Sequence, residues 1–273
     1  MDIVIDIHLH ILSGIDDGPE HLAGSIALAC AARDAGTQLI AATPHLRSDH
    51  PGVRAEELGD RCHALERALA DAAIDIRVVA GAEVDLIWAH AASPEQLRLA
   101  TYGQRGTDML LETPYGPVPH NFGELVEWIS DRGIRVLLAH PERNPTFQRD
   151  PGLVLDLVAR GVLVQVTAMS LVRDGKPSRT LQLARWLVER GAVHVIASDA
   201  HTAGPWRGPD LRPAHDVVRD MGPARLEWMI HDVPQAIVAG EPLPCAPARG
   251  APSRGLGRRQ VRAVRRVLNT RLT

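Results

Sequence analysis

Along the chain, short runs of β-branched residues, leucine and alanine recur at 3–7, 38–42, 76–80, 109–111, 134–139, 162–166 and 193–197. They are apolar at nearly every position, the pattern of parallel strands covered on both faces. Helical spacing fills the intervals. Residues 20–35 place Leu22, Ile26, Ala29 and Cys30 on one face, and residues 56–73 place Leu58, Cys62, Leu65 and Leu69 at steps of three and four. Further helices are expected over 122–131, 150–160 and 178–190, followed by Gly133, Gly161 and Gly191, where the chain can turn left-handed at little cost. Helix, charged last turn, glycine and apolar strand repeat in ARDAGTQLIAAT, SDRGIRVLLAH, VARGVLVQV and VERGAVHVIAS. Seven strands alternating with helices predict a parallel α/β fold. The pattern leaves a closed barrel and a doubly wound open sheet equally open. Beyond Asp199, a Gly/Pro-rich loop over 202–213 leads to helices over 214–221 and 223–231. The proline-rich stretch from Pro242 to Pro247 then breaks the chain, and 260–268 has the pattern of a short exposed helix.

Composition narrows the setting. The 273 residues suffice for one large α/β domain or two small ones. No apolar run approaches the ~18–20 residues of a membrane-spanning helix. The first ten residues carry acids at 2 and 6 where a signal peptide needs bases, so a cytoplasmic protein is expected. Three distant cysteines, Cys30, Cys62 and Cys245, fit neither a disulfide framework nor a thiolate zinc site. The Cys-x5-Arg loop of thiolate phosphatases is absent, with Gly36, Ala68 and Ala251 standing where its arginine would fall. Histidine is abundant, at 13 residues against two Tyr and two Phe. The formal charge of −3 conceals an uneven distribution. Residues 249–273 hold eight Arg and no acid, leaving 22 basic residues against 33 acidic ones in the preceding body, or −11. Such a tail suits either a solvated extension or a contact with an anionic partner.

The chemistry lies where strands end. The first run leads into Asp6-Ile7-His8-Leu9-His10, the second into Thr43-Pro44-His45 and the third into Gly81-Ala82-Glu83. The fourth meets Glu112, the fifth His140 and the seventh Ser198-Asp199-Ala200-His201. Six of seven strands thus deliver His, Asp or Glu to their carboxyl ends, the face on which parallel barrels build active sites. Alternation along an extended chain turns both imidazoles of His8 and His10 to one side, and Asp199 and His201 repeat that spacing. An N/O donor set without thiolate suits manganese, iron or zinc better than calcium or magnesium. Asp16 and Asp17 lie in the first loop, where one can cap the helix expected from Glu20 while the other faces a metal.

His8-Leu-His10, IDDGP at 15–19, ATPH at 42–45, GAEV at 81–84, LLETPY at 110–115, AHPER at 139–143 and ASDAH at 197–201 resemble the PHP (polymerase and histidinol phosphatase) superfamily. More narrowly, they resemble its bacterial manganese-dependent tyrosine-protein phosphatases from capsular and exopolysaccharide loci. The resemblance spans about 3–244, which sets off an Arg-rich extension over 245–273 from a phosphatase domain over 1–244. It implies a distorted (β/α)7 TIM-like barrel around three divalent ions, manganese first, with iron or zinc as alternatives. His8, His10, Glu83 and Asp199 would hold the first ion. Glu83, Glu112 and His140 would hold the second, and Asp17, His45 and His201 the third. Arg143 would hold the substrate phosphate, with Arg47 and Arg207 as further candidates. Leu46 stands where the family often has a second histidine, and His50 in the SDHPG loop is either its substitute or a surface residue.

The resemblance implies hydrolysis of phosphotyrosine on a tyrosine kinase of polysaccharide export. A phosphatase for a small monoester such as histidinol phosphate, a nucleic-acid phosphoesterase and a metal-free regulator are the competing readings. The acidic body speaks against nucleic acid, which needs a basic track. Of the remaining histidines, His120 sits in the Glu112 loop as a candidate rim residue.

Overall fold

The computed structural model describes residues 4–172, 178–219 and 222–248; the 260–268 segment lies outside these residues. Among the described residues, nine parallel strands form two sheets: β1 (Val4–Leu9), β2 (Thr37–Ala42), β3 (His45–Leu46), β4 (Arg77–Ala80), β5 (Glu83–Val84), β6 (Asp108–Leu111), β7 (Arg135–Leu138), β8 (Leu163–Thr167) and β9 (Val195–Ala197). One sheet runs β1-β2-β4 and the other β3-β5-β6-β7-β8-β9. Every residue of β1, β6 and β8 is buried, as expected for strands covered on both faces.

The two extra strands come from breaks in the second and third runs. After Ala42, the chain passes Thr43-Pro44 and resumes as β3; after Ala80, it passes Gly81-Ala82 and resumes as β5. Pro44 has no N–H to give a ladder, so pairing stops and restarts with a changed direction. The Gly81 N–H donates to the Ala42 carbonyl (3.0 Å) and the Glu83 N–H to the Pro44 carbonyl (3.1 Å), carrying the contact across the break. Beyond it, His45 lies opposite Glu83, and Glu83 opposite Leu110. At the other margin, the Asp199 N–H donates to the His8 carbonyl (2.8 Å) and the His10 N–H to the Ala200 carbonyl (2.9 Å). The first and last strands are thereby tied at the level of their histidines and acids.

Helices Leu22–Asp34, Leu58–Asp71, Phe122–Ser130, Gly152–Ala159 and Arg179–Arg190 occupy the expected intervals. Gly191 caps the last of these at φ 68°, ψ 26°. Short helices Leu86–Ala91, Pro94–Leu99 and Pro145–Arg149 were not legible from periodicity, because five or six residues complete too few turns. Their caps are clear: Asp85 accepts from the Ile87 and Trp88 N–H groups, Ser93 and Gln96 form a reciprocal capping box, and Asn144 accepts from the Thr146 N–H. The helix expected over 223–231 continues to Ala239 through a widened π-turn at Trp228–Asp232. Pro234 follows that turn and has no N–H to return to the preceding carbonyls, so the ladder opens there.

His194 lies beneath the rim, 5.8 Å from the Trp228 ring, and its Nδ1 accepts from the Val164 N–H (3.2 Å). Burial, reinforced by the Arg225 charge, lowers its pKa from 6.5 to about 4. An unfolded chain therefore takes up a proton here first, and stability present above pH 6.5 falls as pH drops toward 4. We expect His194→Gln, which keeps an acceptor, to flatten this loss by up to about 3 kcal/mol in urea unfolding at pH 7 and 4.5. Equal acid sensitivity in both proteins would contradict this role.

Candidate metal centre

The parallel strands bring all nine predicted side chains to one rim. His8 and His10, two residues apart, have ring centroids 5.6 Å apart, and both are fully enclosed. Each points Nε2 to within 3.3 Å of Glu83 Oε2 and 3.4 Å of Asp199 Oδ1. His45 adds its Nδ1 at 3.2 Å from the same Glu83 oxygen. Among the described residues, His8 Nε2, His10 Nε2, His45 Nδ1 and Glu83 Oε2 are buried without a hydrogen-bond partner. Four such atoms facing one another would be costly unless a cation shares them.

Among the described residues, three groups of donor atoms are close enough to hold an ion: His8, His10, Glu83 and Asp199; His10, Asp17, His45 and His201; and His45, Glu83 and Glu112. The first matches the expected set, and the second contains the expected Asp17, His45 and His201 with His10 added. The third has His45 where His140 was expected. His140 lies beside it, with Nε2 hydrogen-bonded to Glu83 Oε1 at 2.7 Å. Asp199 and His201 do not face the same point: Asp199 Oδ1 turns to His8 and His10, while His201 Nε2 lies 3.1 Å from Asp17 Oδ1.

The electrostatics fit a cation cluster. Burial raises the Glu83 carboxyl, yet His8 and His140 outweigh it and hold the group well below the usual carboxylate range. Glu112 goes the other way, pushed up to about 8 by burial and by Glu83, despite the opposing Arg47 charge. Burial lowers His45 to about 4, leaving the imidazole neutral and able to donate a lone pair at pH 7. His140 (φ 33°), Asp199 (φ 55°) and Arg207 (φ 53°) adopt left-handed backbone, a cost that concentrates at functional sites.

An open cavity rises from this floor, its walls including Tyr115, Arg143, Asn144 and Arg207. Arg143 reaches Asp199 Oδ2 at 2.5 Å and donates to Thr167 Oγ1 at 2.9 Å. Arg47 grips both oxygens of Glu112 (2.9 and 3.0 Å) and stacks on the Tyr115 ring, 4.4 Å from its centroid. Arg207 reaches Asp17 Oδ2 (3.1 Å) and contacts His201. Each arginine thus pairs with an acid from a different group; Arg143 and Arg207 line the cavity, and Arg47 backs two of its lining residues, Glu112 and Tyr115. His50 stacks on His45, ring centroids 5.1 Å apart, while His120 is exposed.

Asp16 has a role the sequence did not reveal. Neither Asp16 nor Asp17 caps the first helix, which begins at Leu22 after His21. Asp16 Oδ2 instead receives His10 Nδ1 (2.7 Å) and the His45 N–H (3.2 Å), and Oδ1 receives the Gly18 N–H (3.0 Å). A carboxylate only accepts, so His10 donates from Nδ1, and this contact turns its Nε2 toward the cluster. The tight IDDGP turn makes this possible. A Cβ on Gly18 would sit 2.3 Å from the His10 carbonyl oxygen.

Comparison with known proteins agrees with this geometry. Residues 4–239 match the family model for capsular polysaccharide synthesis, CpsB/CapC. The chain belongs to the CpsB/CapC family. The tyrosine-protein phosphatase YwqE of Bacillus subtilis is 32% identical over 199 residues, covering 72% of this chain and 77% of YwqE. The tyrosine-protein phosphatase CpsB of Streptococcus pneumoniae is 24% identical over 243 residues, covering 86% of this chain and 98% of CpsB. A crystal structure from work on those two proteins, described as unique metal-dependent tyrosine phosphatases, superposes with a TM-score of 0.77 at 27% identity. The match covers 90% of this chain and all of that one.

For this CpsB/CapC member, Gly18→Ala should force His10 or the loop aside. The expected loss is about 1–3 kcal/mol in urea unfolding, from overpacking against backbone. Unchanged stability would mean that the turn yields without strain.

Proposed function

We propose that this chain is a metal-dependent protein-tyrosine phosphatase acting on a bacterial tyrosine kinase that regulates capsular or exopolysaccharide biosynthesis. The observation that carries the reading is the set of overlapping His/Asp/Glu groups, rich in orphaned buried donors, beneath a cavity walled by arginines. Family membership and the named activity of the relatives support the same conclusion. In this reading, His8, His10, Glu83 and Asp199 hold one ion, Glu83, Glu112 and His140 a second, and Asp17, His45 and His201 a third. Manganese is the first candidate, with iron or zinc as alternatives. In this reading the two sheets form a distorted seven-strand barrel whose margins meet at Leu9–Ala200 and at Pro44–Glu83. The phosphatase domain ends near residue 244, followed by the Arg-rich extension. Among the described residues, no helix is long and apolar enough to cross a membrane, and we place the enzyme in the cytoplasm beside its kinase substrate.

Clustered divalent cations supply Lewis acidity and a nucleophile from water at neutral pH. The chain's own groups supply the rest. Arg143 binds and orients the phosphoryl oxygens, exchanging its contact with Asp199 for one with substrate, and Thr167 steadies its other nitrogen. Arg207, lining the cavity, and Arg47, behind Glu112 and Tyr115, add positive charge near the point where the phosphate enters. Tyr115, which lines the cavity and is 70% exposed, offers a ring face to an aryl ester. Cysteine chemistry has no place here. Burial pushes the Cys62 thiol up to about 12, so it stays protonated and unreactive at pH 7.

Chelation should abolish release of phosphate from a phosphotyrosyl peptide, and added Mn²⁺ should restore it, while Cys62→Ala leaves the rate unchanged. Hydrolysis confined to histidinol phosphate, or undiminished after chelation, would overturn the assignment. Arg143→Lys keeps the charge but loses the planar fork, and a roughly 10–100-fold fall in kcat/KM is expected. A fall below threefold would remove Arg143 from phosphate binding.

A further inference from the structure

One predicted strand, β8, brings no acid or imidazole to the rim; at the corresponding level it carries Gln165, which is completely buried. Gln165 Oε1 lies 3.2 Å from the His140 backbone nitrogen and 3.1 Å from His8 Nδ1. These two contacts settle the orientation of both side chains. The His140 N–H can only donate, so the amide atom facing it is the oxygen. That same oxygen then takes a proton from His8 Nδ1, so the neutral, metal-binding form of the ring keeps its lone pair on Nε2. Nε2 in turn faces Glu83 Oε2 and Asp199 Oδ1, where a lone pair against two carboxylate oxygens needs a cation between them. The Gln165 Nε2 group, by contrast, is buried without a partner among the described residues. A side chain retained with one end unsatisfied points to the work done at its other end.

We propose that Gln165 is a positioning residue for metal binding, a single amide oxygen that fixes the His8 tautomer and holds the left-handed turn at His140. This role rests on the metal reading given above, and it links ligands from the first and fifth predicted strands through a strand that contributes no ligand itself. Outer partners of this kind set ring orientation and ligand basicity, and losing them typically weakens metal affinity 10–100-fold.

The test uses the full chain stripped of metal, with Mn²⁺ alone as probe. Gln165→Met keeps length and apolar bulk but removes the acceptor, and its Mn²⁺ affinity by calorimetry should fall roughly 10–100-fold. Gln165→Glu keeps the acceptor and should stay within about threefold of the parent. Nitrogen-15 NMR of the stripped parent should show His8 protonated on Nδ1, a readout independent of activity and of whether either variant folds. Parent-like Mn²⁺ affinity in a folded Gln165→Met protein, or a His8 Nδ1 that carries no proton in the parent, would overturn the positioning role alone. A parent that binds no divalent ion, with His8 nonetheless protonated on Nδ1, would overturn the metal reading and with it the role of Gln165 toward the ion.

Discussion

Glu83 Oε2 sits inside a ring of three imidazole nitrogens, all within 3.3 Å and none in hydrogen-bond geometry with it. The rest of the rim is arranged around that contact. Its carboxylate is completely enclosed, and Asp199 and Glu112 are nearly so. Burying several acids together is unfavourable unless their charge is matched, because the interior screens repulsion poorly. The chain supplies part of the match through His140, Arg143 and Arg47. The remainder falls at the points where orphaned nitrogens and oxygens converge, which is where divalent cations would complete the balance.

The fold serves this cluster through two adjustments at the sheet margins. The break at Thr43-Pro44 and Gly81-Ala82 shifts strand pairing so that His45 and Glu83 stand opposite each other. At the other margin, backbone bonds between the first and last strands set His8 and His10 against Asp199. Partners outside the cluster then fix ring direction: Asp16 for His10, Gln165 for His8 and the Asp199 carbonyl for His201 Nδ1 at 2.9 Å. These contacts leave little freedom for the donors to turn away, which is the pre-organisation a small, highly charged ion requires.

Above the floor, the character changes from enclosed to open. Arg143 and Arg207 line the cavity, paired with Asp199 and Asp17, and Arg47 lies behind it, bound to Glu112 and Asp49. The backbone at Asp199, His140 and Arg207 is held left-handed in the same region. Strain and charge are therefore concentrated in one layer, supported below by a continuous apolar core that runs through both sheets.

The sequence by itself determined what depends on neighbours in the chain. Apolar runs specified the strands, three-and-four spacing the longer helices, and alternation the shared direction of His8 and His10, because each follows from local backbone geometry. The motifs likewise place candidate histidines and acids at the strand ends and in the first loop, all local features of the chain. Only the tertiary structure decided the division into two sheets, the approach of His45 to Glu83 and Glu112 with His140 on the other Glu83 oxygen, the stacking of His50 on His45, and the service of Asp16 and Gln165 as hydrogen-bond partners. Those relations join residues up to 157 positions apart, as His8 and Gln165 are. They arise from strand pairing and loop convergence across the rim, and a glutamine among valines carries no local sign of the imidazole it will meet.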